Sequence, residues 1–180
     1  MPEPPELLLQ ASRFSVVRMT EDFADGTSRA REVILHPGSV VILPLLDPLL
    51  DGGRVVLIRN YRVAVGETLI ELPAGTLEAG EDPRVAAERE LAEETGYRCR
   101  ELRSLHAFYM SPGILRERMH LFLATGLVEG NAAREPGERI ENLIVSWAEA
   151  LRLAVSGQIQ DAKTLTAILL YEHLRKTSDV

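Results

Sequence analysis

The sequence has little cysteine and no excess of positive charge, and each shortage excludes a class of protein. Cys99 is the only cysteine among 180 residues, so no disulfide can form within the chain. A free thiol suits a reducing compartment, which predicts a cytoplasmic location. The 27 acidic residues outnumber the 20 Lys and Arg, for a net charge of −7. This balance argues against nucleic acid as the main partner, because phosphate backbones are bound by clustered Lys and Arg.

Long hydrophobic segments are also missing. The longest apolar stretch, SVVILPLLDPLL from Ser39, is interrupted by Pro44 and Asp47 and is too short to cross a membrane. The first ten residues, MPEPPELLLQ, lack a basic start and contain only three consecutive leucines, so they do not predict a signal peptide. With 46% hydrophobic and 26% charged residues, the composition predicts a soluble globular protein without membrane contact.

Hydrophobic patterns predict a mixed α/β or α+β fold, with strands on both sides of one acidic helix. Two β-rich segments and a turn near Asp25 fill the beginning of the chain, and His36-Pro37-Gly38 marks a break. We therefore expect an N-terminal β-rich segment, residues 1–38, and a main domain, residues 39–180. The predicted strands cover residues 14–20, 28–36, 39–46, 54–62, 68–76, 100–110, 116–128 and 142–147, and two C-terminal helices cover 148–155 and 162–174.

The acidic helix has recognisable ends. Asp82 is a suitable N-cap, Pro83 fits the first helical position, and Gly96 fits the left-handed residue that ends a helix. Ala86 and Ala87 lie one turn before the acidic residues, and we expect their small side chains to leave room for a ligand.

Three glutamates crowd one side of this helix. Glu90, Glu93 and Glu94 repel one another at spacings of three and four residues. Charged runs are often only a solvated helix face, but this one follows a glycine loop and has no interleaved lysine. Arg89 is placed to pair with Glu93 one turn later. Because Mg²⁺ and Mn²⁺ prefer several oxygen ligands held at fixed geometry, the cluster predicts a metal site.

A metal of this kind, held by few protein ligands, typically works on phosphates. It neutralises phosphoryl oxygens and lowers the pKa of water bound to it. The residues alone therefore predict a metal-dependent phosphoryl or pyrophosphoryl hydrolase.

The same residues resemble a known family motif. Gly75, then Glu81, then the run RELAEETGY from Arg89 to Tyr97 resembles the Nudix box, with only Tyr97 departing from its usual aliphatic residue. The resemblance implies the Nudix fold, an α/β/α sandwich on a mixed sheet, here with a small N-terminal antiparallel β appendage. It also implies hydrolysis of a nucleoside diphosphate linked to another group.

Motifs outside the box resemble the ADP-ribose pyrophosphatase branch of that family over nearly the whole chain. They are HPGSVVILPL, VVLIRNYR, ELPAG, MSPG and DAKTL, together with Pro112 sixteen residues after Gly96. The resemblance implies cleavage of ADP-ribose, or a closely related nucleotide sugar, to AMP and ribose 5-phosphate. GDP-mannose and other nucleotide-sugar pyrophosphatases share several of these motifs and remain an alternative. A non-catalytic nucleotide sensor is a further alternative, disfavoured because the acidic residues of the box are intact.

The resemblance also implies roles for individual residues. Metal ligands would be the Ala74 carbonyl, Glu90 and Glu94, with Glu93 either ligating or orienting, around two or more Mg²⁺ ions, or Mn²⁺. Residues that brace the motif would be Gly75, Glu81, Arg89 and Gly96. Substrate contacts would come from Arg62 to a phosphate or ribose, from Ser111 and Glu117 to the distal ribose, and from Arg31 and Glu32 to the nucleoside. The last two would act across a homodimer interface with exchanged N-terminal strands.

The general base is expected in the loop REPGERIEN, where the family usually has two acids spaced two apart. Here Glu135 and Glu138 are three apart and Pro136 lies between them. Glu138 is the first choice as base or additional metal ligand, and Glu135 is the second.

Overall fold

A computed structural model describes residues 4–47, 53–134 and 139–177 of the chain. Within these ranges the chain forms thirteen strands and three helices. The strands are β1 (Glu6–Gln10), β2 (Ser15–Asp22), β3 (Ser28–Leu35), β4 (Ser39–Pro44), β5 (Arg54–Arg62), β6 (Glu67–Glu71), β7 (Ala74–Thr76), β8 (Tyr97–Arg98), β9 (Glu101–Tyr109), β10 (Leu115–Arg116), β11 (Arg118–Thr125), β12 (Val128–Glu129) and β13 (Ile140–Ser146). The helices are α1 (Pro83–Thr95), α2 (Trp147–Val155) and α3 (Ala162–Thr177).

The central sheet is mixed, and strand β4 lies inside it. Its order is β7-β4-β11-β9, with β11 parallel to β4 and the other two pairings antiparallel. A second, antiparallel sheet has the order β13-β5-β6. A bridge between Leu45 and Val55 connects the end of β4 to the start of β5.

Helices lie against both faces of the sheet that contains β4. Alternate side chains of a strand point to opposite faces, and those of β4 pack against different helices. Val41 and Leu43 belong to a core cluster that includes residues of α2 and α3. Val40 and Ile42 belong to a second cluster that includes residues of α1. The predicted α/β/α sandwich on a mixed sheet is therefore confirmed.

Helix α1 begins and ends as the sequence predicts, but one part of its surface is buried where the sequence predicts open space. Asp82 is the N-cap and accepts a hydrogen bond from the Arg84 amide at 2.8 Å, and Gly96 has φ 82°. The expectation that Ala86 and Ala87 leave room for a ligand is wrong, because both are fully buried in the cluster beneath the helix. Their small side chains let the helix backbone lie close to the sheet.

The N-terminal strands form a sheet of their own with one strand from the main domain. β1, β2 and β3 pair antiparallel, and β10 adds to β3 in parallel through Leu115 opposite Ile34. The sheet thus contains residues from both sides of the break predicted at 36–38. In the described ranges, no helix combines the length and the apolar character that a membrane-crossing helix requires.

Candidate functional site

A cavity of about 420 Å³ lies where the loop after β6, helix α1 and the start of α3 meet. One wall carries the acidic residues of α1, and another carries Arg62 and Lys163. The lining residues are Arg13, Ser39, Asn60, Arg62, Ala74, Gly75, Thr76, Leu77, Glu78, Arg89, Glu90, Glu93, Glu94, Met110, Glu117, Met119, Asp161 and Lys163.

Gly75 is required by the close approach of Glu90. A Cβ atom built on Gly75 would lie 1.9 Å from both Cδ and Oε1 of the Glu90 carboxylate. No real Cβ atom tolerates such a distance, so any other residue at position 75 would displace Glu90. The motif glycine therefore sets where this carboxylate lies on the cavity wall.

Glu94 fastens the helix to the strand that carries Ala74. Its side chain is buried, and Oε2 accepts a hydrogen bond from the Ala74 amide at 2.9 Å. Ala74 on β7 and Glu94 on α1 therefore lie side by side in the cavity lining. Glu93, in contrast, is the most open of the three acids, with 38% of its side chain exposed.

Arg89 neutralises part of the acidic cluster. Its guanidinium donates to Glu81 at 3.0 and 3.1 Å, to Glu90 at 2.8 Å and to Glu93 at 3.1 Å. Hydrogen bonding to Glu81 is the main reason why the pKa of Arg89 is raised, and the same contact lowers the pKa of Glu81. The pairing of Arg89 with Glu93 is as predicted. Arg89 also contacts Glu90, so part of the repulsion within the cluster is offset without a metal.

The donor atoms on this wall nevertheless suit a hard divalent cation. Glu90, Glu93, Glu94 and the Ala74 backbone line one cavity and offer only oxygen, the element that Mg²⁺ and Mn²⁺ prefer. In the described part of the chain, no three His, Cys, Asp or Glu side chains are grouped as a preformed metal site. A cation would share Glu90 with Arg89 and Glu94 with the Ala74 amide.

The wall that carries Arg62 also contains a charged network of Glu71, Lys163 and Asp161, to which the sequence alone assigned no role. Glu71 is 1% exposed, accepts two hydrogen bonds from Arg62 at 2.7 and 2.6 Å, and accepts a third from Lys163 at 2.6 Å. Burial opposes the charged form of Glu71, but the hydrogen bonds from Arg62 and Lys163 outweigh it and lower the pKa. One signal was present in the sequence: Lys163 lies on the same helical stripe as the buried Ala167 and Tyr171.

The other predicted substrate residues are divided between the cavity and the outer surface. Glu117 lines the cavity and accepts a hydrogen bond from Ser39 Oγ at 2.6 Å. Ser111 is exposed in the turn after β9 and is not part of the cavity lining.

Arg31 and Glu32 lie on the exposed strand β3, where they pair with Glu21 at 2.7 Å and Arg18 at 3.2 Å. Neither lines the cavity of the single chain. The two proposed bases, at positions 135 and 138, fall outside the described residues.

Comparison with known proteins agrees with the motif. The NUDIX domain family model matches residues 36–167. ADP-ribose pyrophosphatase of Bacillus subtilis (strain 168) is 38% identical over 149 residues, which cover 82% of this chain and 78% of that protein. GDP-mannose pyrophosphatase of Salmonella arizonae (strain ATCC BAA-731 / CDC346-86 / RSK2980) is 39% identical over 129 residues, 67% of this chain and 66% of that protein.

The fold also has a counterpart among solved structures. A structure titled "Crystal structure of ADP compounds hydrolase" superposes with a TM-score of 0.80, covering 100% of this chain and 99% of that one at 23% identity. At this identity the likeness concerns the fold. Together with the family match over residues 36–167 and the intact motif from Gly75 to Tyr97, these findings show that the chain belongs to the NUDIX domain family.

Proposed function

We propose that this chain is a divalent-metal-dependent pyrophosphatase that cleaves ADP-ribose, or a closely related nucleoside diphosphate sugar. The products from ADP-ribose are AMP and ribose 5-phosphate. The observation that carries the proposal is the cavity itself, with three carboxylates on one wall and Arg62 on another. The 38% identity to an ADP-ribose pyrophosphatase over 82% of the chain supports the choice of substrate.

The chain's own residues would divide the work as follows. Glu90, Glu94, the Ala74 carbonyl and the more open Glu93 would hold the cations, of which Mg²⁺ is the first choice. When bound, such cations neutralise phosphoryl oxygens and make water a better nucleophile near neutral pH. Arg62 would bind the diphosphate, since a guanidinium matches the geometry of phosphate oxygens. Glu117 would contact the distal sugar.

Hydrolysis requires a group that accepts the proton of the attacking water. Water adds to one phosphorus, the bond from that phosphorus to the bridging oxygen breaks, and the bridging oxygen leaves with the other phosphate. Glu138, or Glu135 as second choice, would take the proton. Both are proposed from the sequence alone.

A GDP-mannose pyrophosphatase is the second candidate, supported by the 39% identity to such an enzyme over 67% of the chain. Because both activities use the same wall of carboxylates, substrate comparison has to separate them. We would measure kcat/KM for ADP-ribose, GDP-mannose and other nucleotide sugars with Mg²⁺, and identify the products by chromatography. A preference for ADP-ribose supports the first proposal, and a preference for GDP-mannose supports the second.

The role of the acidic wall is tested with Glu93→Gln/Glu94→Gln. The matched control is Glu88→Gln, which removes an acid from an exposed position of the same helix. We expect loss of phosphate release from ADP-ribose, assayed with a coupled phosphatase, in the double variant and normal release in the control. Equal release from all three proteins would contradict the metal mechanism, and no turnover of any nucleotide sugar by the wild type would favour a binding-only protein.

A further inference from the structure

We propose that Glu71, supported by Lys163 and Asp161, is a positioning residue that fixes the guanidinium of Arg62 for binding the substrate diphosphate. The inference deepens the proposed function and depends on Arg62 being the residue that meets the phosphates. It assigns a role to the DAKTL segment, residues 161–165, which the proposed mechanism leaves unused.

The geometry at Arg62 is that of a held side chain. Its Nε and Nη2 both donate to Glu71, at 2.7 and 2.6 Å, so the plane of the guanidinium is fixed by two parallel hydrogen bonds. Among the described residues no partner is bonded to the remaining terminal nitrogen, Nη1. Because Arg62 lines the cavity, Nη1 can donate to a ligand while Nε and Nη2 stay bonded to Glu71.

Glu71 is held in place by hydrogen bonds that connect it and its neighbour Leu72 to the start of α3. Lys163, itself buried, donates to Glu71 at 2.6 Å and to Asp161 at 2.9 Å. Asp161 in turn accepts the Thr164 amide at 3.0 Å, which is the arrangement of an N-cap at the start of α3. The Thr164 hydroxyl accepts the amide of Leu72, the residue after Glu71, at 2.8 Å.

Stability alone is a poor explanation for this network. Burying charged pairs is costly, and apolar residues of similar size often stabilise a fold as well or better. A network of two cations and two anions that reaches the cavity at the guanidinium of Arg62 is better explained by orientation of that guanidinium. Fixing it before substrate arrives lowers the entropy lost on binding.

The test compares Glu71→Gln with Glu149→Gln. Glu149 is a matched control because it accepts the same two-bond fork, from Arg152 at 2.7 and 2.7 Å, on an exposed helix face outside the cavity. For Glu71→Gln we expect KM for the preferred nucleotide sugar to rise about tenfold while kcat changes much less, because binding of the diphosphate is weakened. Calorimetric titration of ADP with Mg²⁺ should show a comparable loss of affinity, and Glu149→Gln should match the wild type in both measurements.

A double-mutant cycle separates positioning from general stabilisation. If Glu71 acts through Arg62, adding Glu71→Gln to Arg62→Met should weaken ADP binding by less than about twofold, because contacting residues are not additive. Equal losses in the two backgrounds, or an unchanged KM and ADP affinity in Glu71→Gln, would overturn the inference. If Glu71→Gln does not fold, Lys163→Met replaces it in the same cycle with Arg62→Met. A wild type that binds ADP but cleaves no nucleotide sugar would contradict the proposed function. The double-mutant cycle, measured by ADP affinity alone, would still decide whether Glu71 positions Arg62.

Discussion

A single glycine determines where one carboxylate of the site lies, and this leads to a prediction at the scale of a residue. In Gly75→Ala the new Cβ would meet Glu90 Cδ at 1.9 Å, so the carboxylate must move away. We expect kcat to fall by at least about tenfold, in line with other small displacements in active sites. Thermal unfolding should change little, because Gly75 is not among the glycines with positive φ.

Gly113→Ala is the control for that substitution. Gly113 also lacks a positive φ, and nothing lies within 4 Å of a Cβ built on it. The activity of Gly113→Ala should equal that of the wild type. If Gly75→Ala keeps full activity, the position of the Glu90 carboxylate does not matter for turnover.

The proposed base gives a second prediction for a single residue. Glu138→Gln keeps the size of the side chain but removes its ability to accept a proton. We expect kcat to fall by about a hundredfold or more, the usual contribution of a general base, with little change in KM. Glu135→Gln is the comparison, and a loss of kcat in Glu135→Gln with full activity in Glu138→Gln would reverse the assignment.

The residues of the site differ in how far the sequence could reveal them. Glu90, Glu93 and Glu94 are close in sequence, so helical spacing places them together without further information. Glu71 and Lys163 are 92 positions apart, and their contact depends on packing of α3 against the end of β6. Local patterns do not report such a contact.

At the scale of elements, the C-terminal end of α1 is held by a small clamp formed by Arg134 and Asn142. Arg134 Nε donates to the Glu94 carbonyl at 2.9 Å, and Asn142 Nδ2 donates to the Thr95 carbonyl at 2.8 Å. Arg134 Nη2 also donates to Asn142 Oδ1 at 3.0 Å. The last carbonyls of a helix have no partner within the helix, and a nearby cation is favourable there.

We expect Arg134→Ala to lower the free energy of unfolding by about 1 kcal/mol, the usual value for hydrogen bonds of this kind. Hydrogen exchange should become faster at the end of α1, whose carbonyls lose a donor. Arg139→Ala is the control, because the Arg139 guanidinium lies over the ring of Tyr61 on β5, 5.5 Å from its centroid. This substitution should leave hydrogen exchange at the end of α1 unchanged. Unchanged exchange at Gly96 in Arg134→Ala would show that the clamp does not hold the helix.

A second prediction at this scale concerns pH and the packing of α2 against α3. Glu172 accepts Trp147 Nε1 at 2.7 Å and Lys176 Nζ at 2.8 Å, and pairs with Arg175. Burial favours the neutral acid, but these hydrogen bonds outweigh it and lower the pKa of Glu172 to about 2.

An ordinary glutamate has a pKa of about 4.3. Because the folded pKa is lower than this, the stabilisation is complete above about pH 4.3 and is lost as pH falls towards 2. Urea unfolding from pH 5 to pH 2.5 should therefore show a steeper loss of stability for the wild type than for Glu172→Gln. Glu88→Gln should follow the wild type, and parallel curves for all three proteins would contradict this role of Glu172.

Elements were predictable where their signals are local. Helix α1 has its cap, proline and terminal glycine in the sequence, and long apolar runs predicted β5 and β11. The two-residue strands β8, β10 and β12 are too short to produce a pattern, and they form only because a partner strand is nearby. The error at Ala86 and Ala87 also arises because local patterns do not show tertiary contacts. Helical periodicity identifies a face of the helix but not what packs against it.

At the scale of the whole molecule, the N-terminal sheet carries apolar side chains that the single chain does not cover. Leu7 and Leu9 on β1 are 58% and 53% exposed, and Met19 on the paired strand β2 is 40% exposed. Leu7 pairs with Val17, two residues before Met19, so Leu7 and Met19 share a face of the sheet, and exposed apolar residues on one sheet face often mark a protein interface. Arg31 and Glu32 belong to the same sheet and lie outside the cavity of their own chain, so the substrate-binding role that the resemblance implies for them would require a partner's site.

We therefore expect a homodimer in solution, and Leu7→Glu/Leu9→Glu should convert it to a monomer because two charges would have to be buried at the interface. Light scattering coupled to gel filtration measures the mass directly, and activity is followed on the separated species. If Arg31 and Glu32 complete the partner's site, the monomer should also show a raised KM. Val155→Glu is the control, since Val155 is 75% exposed at the end of α2, away from this sheet. A wild type that is monomeric at assay concentration, or a monomeric variant with an unchanged KM, would show that each chain binds its substrate alone.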